Sequence, residues 1–435
     1  MFSLLAALLL LAACSARSPH DRDAVSRSIN ERTGHGLKPA ATTALLPEGV
    51  ALADGLTEEE AVAIALWNNA QFQADLTRLG FARADLIEAG LLRNPVFSLL
   101  LPLGPKQLEA TVGWAVEPLW QRPRRVAAAQ LDMERVAEDL VRSGLDLVHE
   151  VRLAHAELVL AQERMQLAQE SLKLRRRIAE LAEARLAAGD ISELEANLAR
   201  ADARQAEEQA AGARLQATTA KQRLRFLLGL GEDETDFTAA TSASEWPAPA
   251  NVRDLVKVAL AARPDLRAAE IGIETAGKRA GVERAKVFSI VGTLDMNAQG
   301  REGFEAGPGF QTEVPVFNWN NAGRARARAE MDRAARQYLA VRHRVFLDVQ
   351  QAHARYAQAR EGFQQWRERI LPPLENAAEQ SEKAYAAGEV SYLFVLEASR
   401  QVLDARFRAA EAAADVRRAS ADMDRSTGKK QDGKP

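Results

Sequence analysis

The stretch Val126–Ala168, VAAAQLDMERVAEDLVRSGLDLVHEVRLAHAELVLAQERMQLA, decides the fold. Within it Val126, Met133, Leu140, Leu147, Ala154, Ala161 and Ala168 recur every seven residues. A second series, Ala137, Gly144, Val151, Leu158, Met165, Leu172, Ala179 and Leu186, alternates with the first at steps of three and four. This is the a/d seam of a coiled coil, and its many Ala and Gly positions imply close helix approach. The seam predicts one continuous helix over 124–187, about 96 Å long at about 1.5 Å per residue.

The seam returns 198 residues later. Met331, Tyr338, Val345, Ala352, Ala359 and Trp366 repeat the first series. Ala335, Val349, Tyr356, Phe363, Ile370, Ala377 and Ala384 repeat the second, which only Arg342 interrupts. Other segments match at offsets between 191 and 199. Val151-Arg152-Leu153-Ala154-His155-Ala156 matches Val349-Gln350-Gln351-Ala352-His353-Ala354, and Ala187-Ala188-Gly189-Asp190-Ile191-Ser192 matches Ala386-Ala387-Gly388-Glu389-Val390-Ser391. The chain is therefore a duplication, with repeats over 56–238 and 251–425 and a Pro/Ala/Ser seam over 239–250. Each repeat reads as a helix (58–93 and 252–286), two short strands, a very long helix (124–187 and 322–386), a Gly turn and a returning helix. Pro372-Pro373 predicts a kink in the second long helix. Two stacked shorter helices can run beside one long one, and that geometry builds a tube wall. The fold class is mainly α with a small β part.

The strand segments fall at about 96–104, 107–117, 287–299 and 309–317. In the first, Phe97, Leu99, Leu101 and Leu103 alternate with Ser98, Leu100 and Pro102. In the third, Phe288, Ile290, Leu294 and Met296 oppose Ser289, Thr293, Asp295 and Asn297. Gly104-Pro105-Lys106 and the Gly-rich run 300–309 separate the strands of each pair. About nine to eleven alternating residues suit a strand that crosses a bilayer. Four strands cannot close a barrel, and open edges are not tolerated in lipid. A membrane reading thus requires several copies, and three would supply twelve strands.

Composition bounds the rest. A length of 435 residues suggests two or three domains of globular size. Lys+Arg of 57 against Asp+Glu of 60 leaves a net charge of −3, with no basic excess to replace phosphate counterions. Nucleic acid is therefore not an expected partner. One cysteine excludes an intramolecular disulfide framework and a cysteine zinc site. Phe2–Ala13 is apolar apart from Ser3, too short to span a bilayer but suited to the core of a signal peptide over 1–13. Leu11-Ala12-Ala13-Cys14-Ser15 resembles the bacterial lipobox, which implies a covalent lipid on Cys14, and Ser15 fits sorting to the outer membrane. Residues 14–55 then read as a lipid-anchored tether or extended arm, and 426–435 as a polar tail.

These patterns together resemble the TolC-like outer membrane efflux protein family over about 56–425. The specific pieces are Ala259-Leu260-Ala261-Ala262-Arg263-Pro264-Asp265-Leu266, Pro315-Val316-Phe317 with Gly323-Arg324-Ala325-Arg326, and Tyr385-Ala386-Ala387-Gly388-Glu389-Val390-Ser391-Tyr392-Leu393. The first repeat departs, with Asn69-Ala70 and Trp120-Gln121-Arg122-Pro123-Arg124-Arg125; these and Arg32-Thr33-Gly34-His35 look like the heavy-metal, CzcC-like branch. The resemblance implies a homotrimer with a twelve-stranded barrel in outer-membrane lipid and a long α-barrel tunnel in the periplasm. It implies docking on a periplasmic adaptor protein and an inner-membrane RND-type pump, export of metal ions or drugs, and no catalysis. A soluble periplasmic coiled-coil scaffold and a type I protein secretion exit duct are the alternatives.

Gly189 and Gly388 supply the backbone freedom of a tight helical reversal, and Ser192 and Ser391 are placed to cap the returning helices. The resemblance makes these tips the adaptor-docking and aperture end. Asp190, Glu382 and Glu389 lie nearby, and in a trimer each would recur three times and form a cation-attracting ring. His149 and His155 are six apart and fall on different helix faces; no His spacing suits a metal. His155 and His353 are repeat equivalents, which favours a packing role. No Walker loop, nucleophile elbow or dinucleotide glycine pattern is present, so no cofactor and no enzyme activity are expected. Cys14→Ser is expected to yield an unlipidated N-terminus, and a wild-type N-terminal peptide without diacylglycerol by mass spectrometry would refute the lipobox.

Overall fold

The computed structural model describes residues 18–38, 45–101, 107–231, 236–241, 246–298, 303–387 and 389–430. The signal segment, Cys14, Gly104-Pro105-Lys106, Gly388 and the last five residues lie outside them. The described chain divides into two compact units.

The first unit holds residues 18–26, 74–142 and 264–344. Here α4 (Arg78–Gly90) packs along the start of the long helix α5 (Pro118–Ala187). Ala82 and Leu86 bury against Met133 of the seam, with Val126, Ala129 and Val136 around them. The helix starts six residues before the expected Arg124, because Pro118 occupies its first position, where a missing N–H costs nothing. A single sheet of order β1-β2-β3-β4 is built from β1 (Val96–Leu100), β2 (Leu108–Ala115), β3 (Ile290–Ala298) and β4 (Phe304–Thr312). All pairs are antiparallel, so the two repeats meet at β2–β3, with Leu108 opposite Ala298 and Ala115 opposite Val291. Every residue of β1 and β4 is exposed.

The fourth strand corrects the expected 309–317. Its pairing runs from Phe304 opposite Ala298 to Thr312 opposite Ile290, so the strand lies in the glycine-rich run. Gly and Pro are tolerated there because β4 is an edge, and Pro308, opposite Leu294, removes an N–H only from one strand face. The other three strands are shorter than expected and lie within their predicted spans.

The second unit holds residues 27–73, 143–263 and 345–430 among those described. The end of α5 pairs with the returning helix α6 (Glu193–Leu228) through alanines of the seam. Ala168 packs with Ala210 and Ala213, and Ala179 and Ala182 pack with Ala199. Alanine on both sides permits the close approach that the sequence implied. Residues 14–55 are not simply a tether: α1 (Arg22–Thr33) forms within them, and Ile29 is wholly buried. A Cβ on Gly144 would stand 2.7 Å from the Ile29 Cδ1, so that seam glycine admits the arm.

The first helix of each repeat is broken. The expected 58–93 becomes α2 (Glu58–Asn68), α3 (Ala70–Leu76) and α4; 252–286 becomes α7 (Val252–Ala262) and α8 (Pro264–Ala285). Arg263 takes ψ 124° because Pro264 disfavours the helical conformation before it. Asn69 takes ψ 112° with no proline after it. Its side chain compensates, accepting from the Phe72 N–H at 2.9 Å and donating to the Leu227 carbonyl at 2.9 Å. Each break receives the end of a returning helix. Gly229, at φ 67° after α6, abuts the Asn68 carbonyl; Gly428, at φ 75° after α11 (Tyr392–Thr427), abuts Ala262 and Arg263. The last helix thus runs two residues past the expected boundary at 425, and Lys430 N–H donates to the Arg32 carbonyl at 2.8 Å.

The second long helix is α9 (Asn321–Gln364), a π-helical segment Gln365–Ile370, and α10 (Leu371–Ala386). The expected kink at Pro372-Pro373 is met by this wider turn directly before the prolines. It also moves the seam by one residue. Past it Ser381 is buried and Ala378 and Tyr385 are half-buried, whereas Ala377 is exposed. The expected register therefore fails at Ala377, while Ala384 is half-buried beside Tyr385.

Gly229→Ala should destabilise the protein by about 2 kcal/mol or more, since it adds left-handed strain and meets rigid backbone. Gly428→Ala should cost less, because its nearest neighbour at 3.1 Å is the Arg263 side chain. Thermal unfolding checks that order, and equal midpoints for the two variants would contradict it.

Candidate functional site

The helix reversals lie in the second unit, and the structure brings the two together. In the first, Gly189 adopts φ 80°. Its N–H donates to the Leu186 carbonyl at 3.0 Å, and the Asp190 N–H to the Arg185 carbonyl at 2.9 Å, closing the end of α5. Ser192 then accepts from the Glu195 N–H at 3.3 Å and caps α6 as expected. In the second, the Glu389 N–H donates to the Ala384 carbonyl at 2.9 Å. Ser391 has the extended backbone of a cap, φ −76° and ψ 156°, but its side chain makes no capping bond, which corrects the expectation for that residue. Asp190, Glu382 and Glu389 are all exposed; Gly388 and Cys14 fall outside the described residues.

Arg185, three residues before the first turn, donates to the Tyr385 hydroxyl at 2.8 Å, and its guanidinium stands 5.3 Å from that ring's centre. One contact therefore joins the two reversals. Deeper along the hairpins, Asp202 of α6 is buried between Arg175 of α5 and Arg400 of α11, the latter at 3.0 Å. The side chains of Asp202 and Arg175 are 4% and 11% exposed, whereas that of Arg400 is 47% exposed. At the offset of 199 that relates Ser192 to Ser391, Asp202 corresponds to Gln401 and Arg400 to Ala201. The pair therefore has no counterpart in the repeat pattern, and period alone does not say that the copies lie side by side.

A second polar centre joins the arm, the start of α2 and the end of α11. Arg152, 5% exposed, faces Asp424 at 2.5 Å, Glu58 at 3.0 Å and Glu59 at 3.5 Å. Glu59 also meets His35 at 2.8 Å and Lys430 at 2.6 Å. Burial works against ionising Glu59, but the hydrogen bonds from His35 and Lys430 and the Arg152 charge outweigh it and hold its carboxyl at about 2. His155 and His353 play equivalent parts: their Nε2 atoms bond the Leu56 and Ala250 carbonyls, at 2.8 and 3.0 Å, in the segment that leads into each repeat's first helix. Burial pushes the His155 pKa down. His149 pairs instead with Asp422 at 2.7 Å. Among the described residues no group of three His, Cys, Asp or Glu is placed to hold a metal ion.

A sequence profile of the Outer membrane efflux protein family matches residues 109–230 and 255–429, more than half of the chain. The Cobalt-zinc-cadmium resistance protein CzcC of Cupriavidus metallidurans is 26% identical over 387 residues, 86% of this chain and 90% of that protein. The solved structure of CusC superposes with a TM-score of 0.71 at 18% identity, covering 90% of this chain and 98% of that one. The Campylobacter jejuni CmeC outer membrane channel gives 0.72 at 16%, covering 85% of each. These two structures share the fold.

Asp202→Ala strands the Arg175 guanidinium and should cost about 3 kcal/mol. Arg400→Ala removes a half-exposed partner and should cost about 1 kcal/mol or less. Denaturant unfolding that reversed this order would show that Asp202 is not the anchor of the hairpins.

Proposed function

The chain belongs to the outer membrane efflux protein family, and from that premise we propose that three copies form a passive export conduit. Members of this family are channels and not enzymes. The observation that carries the reading is the four-stranded sheet. Both its edge strands are fully exposed, and neither edge is paired among the described residues. Such edges are untenable in lipid until closed, and pairing β4 of one copy with β1 of the next closes twelve strands. The barrel sits in the outer membrane, and the paired long helices continue it as a tunnel through the periplasm. Removal of 1–13 exposes Cys14, whose lipid adds a second hold on the membrane, with the rest of 14–55 as the anchored arm before the repeats.

The helix reversals form the inner aperture and the docking end for a periplasmic adaptor and an inner-membrane RND-type pump. Gly189 and Gly388 make the turns, and Ser192 and Ser391 lie at the starts of the returning helices. Asp190, Glu382 and Glu389, each present three times, surround the aperture with carboxylates and favour cations. That chemistry and the likeness to a cobalt-zinc-cadmium resistance protein support divalent metal ions as the cargo.

Purified in detergent, the protein should have the mass of three chains and open steady conductances in planar bilayers. Deletion in the source cell should lower tolerance of cobalt, zinc or cadmium. A detergent-free monomer in the periplasmic fraction would overturn the reading, and unchanged metal tolerance would overturn the cargo.

A further inference from the structure

The end of the sheet that joins the helices, marked by Val96, Ala115, Ile290 and Thr312, differs in charge from the other. Residues 91–95, 116–125, 283–289 and 313–324, which enter and leave the strands there, carry seven Arg and Lys against three Glu. The far half of the sheet carries Glu109, Asp295 and Glu305 and, among the described residues, no cation. Arg122 and Arg125 of the basic set are spent on the fold, donating to the Gly90 and Leu91 carbonyls at 2.7 and 3.0 Å, at the end of α4. Lys286 pairs with Glu283.

The others are not so spent. Arg124 and Arg284 are exposed and Arg324 half-exposed, and their side chains make no hydrogen bond or ion pair among the described residues. Arg93 is 74% exposed and only 4.0 Å from Glu117. Arg124 and Arg284 are neighbours in space, since the Arg124 Cδ lies 4.0 Å from where a Cβ on Gly281 would stand, one helical turn before Arg284. These cations come from both repeats.

Exposed aromatic rings accompany them. Trp120, Phe288, Phe317 and Trp319 are 38%, 51%, 99% and 50% exposed, and Val314 and Val316 are exposed beside the last two. Trp114 is held at the same end by its indole N–H, which donates to the Arg93 carbonyl at 3.0 Å. Exposed Trp and Phe at a strand end mark the level where a membrane meets water. Arginines just beyond that level reach back to lipid phosphates, with their stems along the apolar surface.

We propose that Arg93, Arg124, Arg284 and Arg324 form a cationic collar that binds the phosphates of anionic glycerophospholipids in the leaflet next to the helices. The proposal rests on the membrane-spanning reading of the strands. Charge complementarity selects the occupant. Three guanidinium groups without an ion pair among the described residues, with the exposed Arg93 at the edge of its pair with Glu117, stand beside exposed rings. Together they match a surface of phosphates over acyl chains. A neutral lipid would leave the excess charge uncompensated.

Full-length protein in detergent is equilibrated with equal amounts of phosphatidylglycerol and phosphatidylcholine, and retained lipids are counted by native mass spectrometry. Wild type should retain phosphatidylglycerol in at least about five-fold preference, as expected for several basic residues near an anionic surface. The quadruple variant Arg93→Gln, Arg124→Gln, Arg284→Gln, Arg324→Gln should fall to near parity while keeping its oligomeric mass. A control removing the exposed Arg176, Arg204, Arg336 and Arg408 should keep the preference. Parity in wild type, preference kept in the quadruple variant, or equal loss in the control would each overturn the collar. Failure of wild type to insert into vesicles of either lipid would overturn the barrel reading and the collar with it. Normal insertion with lipid parity would overturn the collar alone.

Discussion

The constraint on which much of the second unit depends is an extended peptide set into each repeat's first helix, against which a left-handed glycine packs. An unbroken first helix would leave the end of the returning helix with nothing to meet. The breaks at Asn69 and Arg263 free backbone groups, and those groups find partners. Asn69 bonds the Leu227 carbonyl, and the Ala262 carbonyl accepts from Arg32 of the arm at 3.3 Å. The arm, the start of each repeat and the end of the previous coil are thereby tied at equivalent places. The equivalent histidines reinforce this, since each reaches from a long helix to the peptide leading into its repeat.

The long helices and the duplication were legible because a seven-residue period persists over dozens of residues and recurs. The break before Pro264 was legible in principle from one residue. The break at Asn69 was not, because Asn-Ala has no steric bar to helix; it becomes visible only when the two repeats are aligned and the proline of one is read into the other. The arm helix was missed because Val25 and Ile29 are its only wholly buried apolar residues, too few for a periodic signal. The partner of Ile29, Gly144, reads in the sequence as a sign of close approach, but a seam glycine does not name what approaches it.

The fourth strand shows the opposite failure. Glycine and proline argued for a loop over 300–309, of which residues 304–309 in fact pair with β3. Register won over local preference because β3 offers nine consecutive partners and an edge strand need donate on one side only. The contacts between the two hairpins escaped for a topological reason. Arg185 and Tyr385 are 200 residues apart, and only the packing of one hairpin beside its copy joins them.

The π turn at Gln365–Ile370 takes up one extra residue in the second of two copies of one element. Ahead of it equivalent residues lie 198 apart, as Val151 and Val349 do, and past it 199 apart, as Gly229 and Gly428 do. Ser381, buried past the turn, is thereby the counterpart of Ala182, which is also buried. The wider turn confines the insertion to six residues, so the two tips keep equivalent inward positions although one long helix holds a residue more.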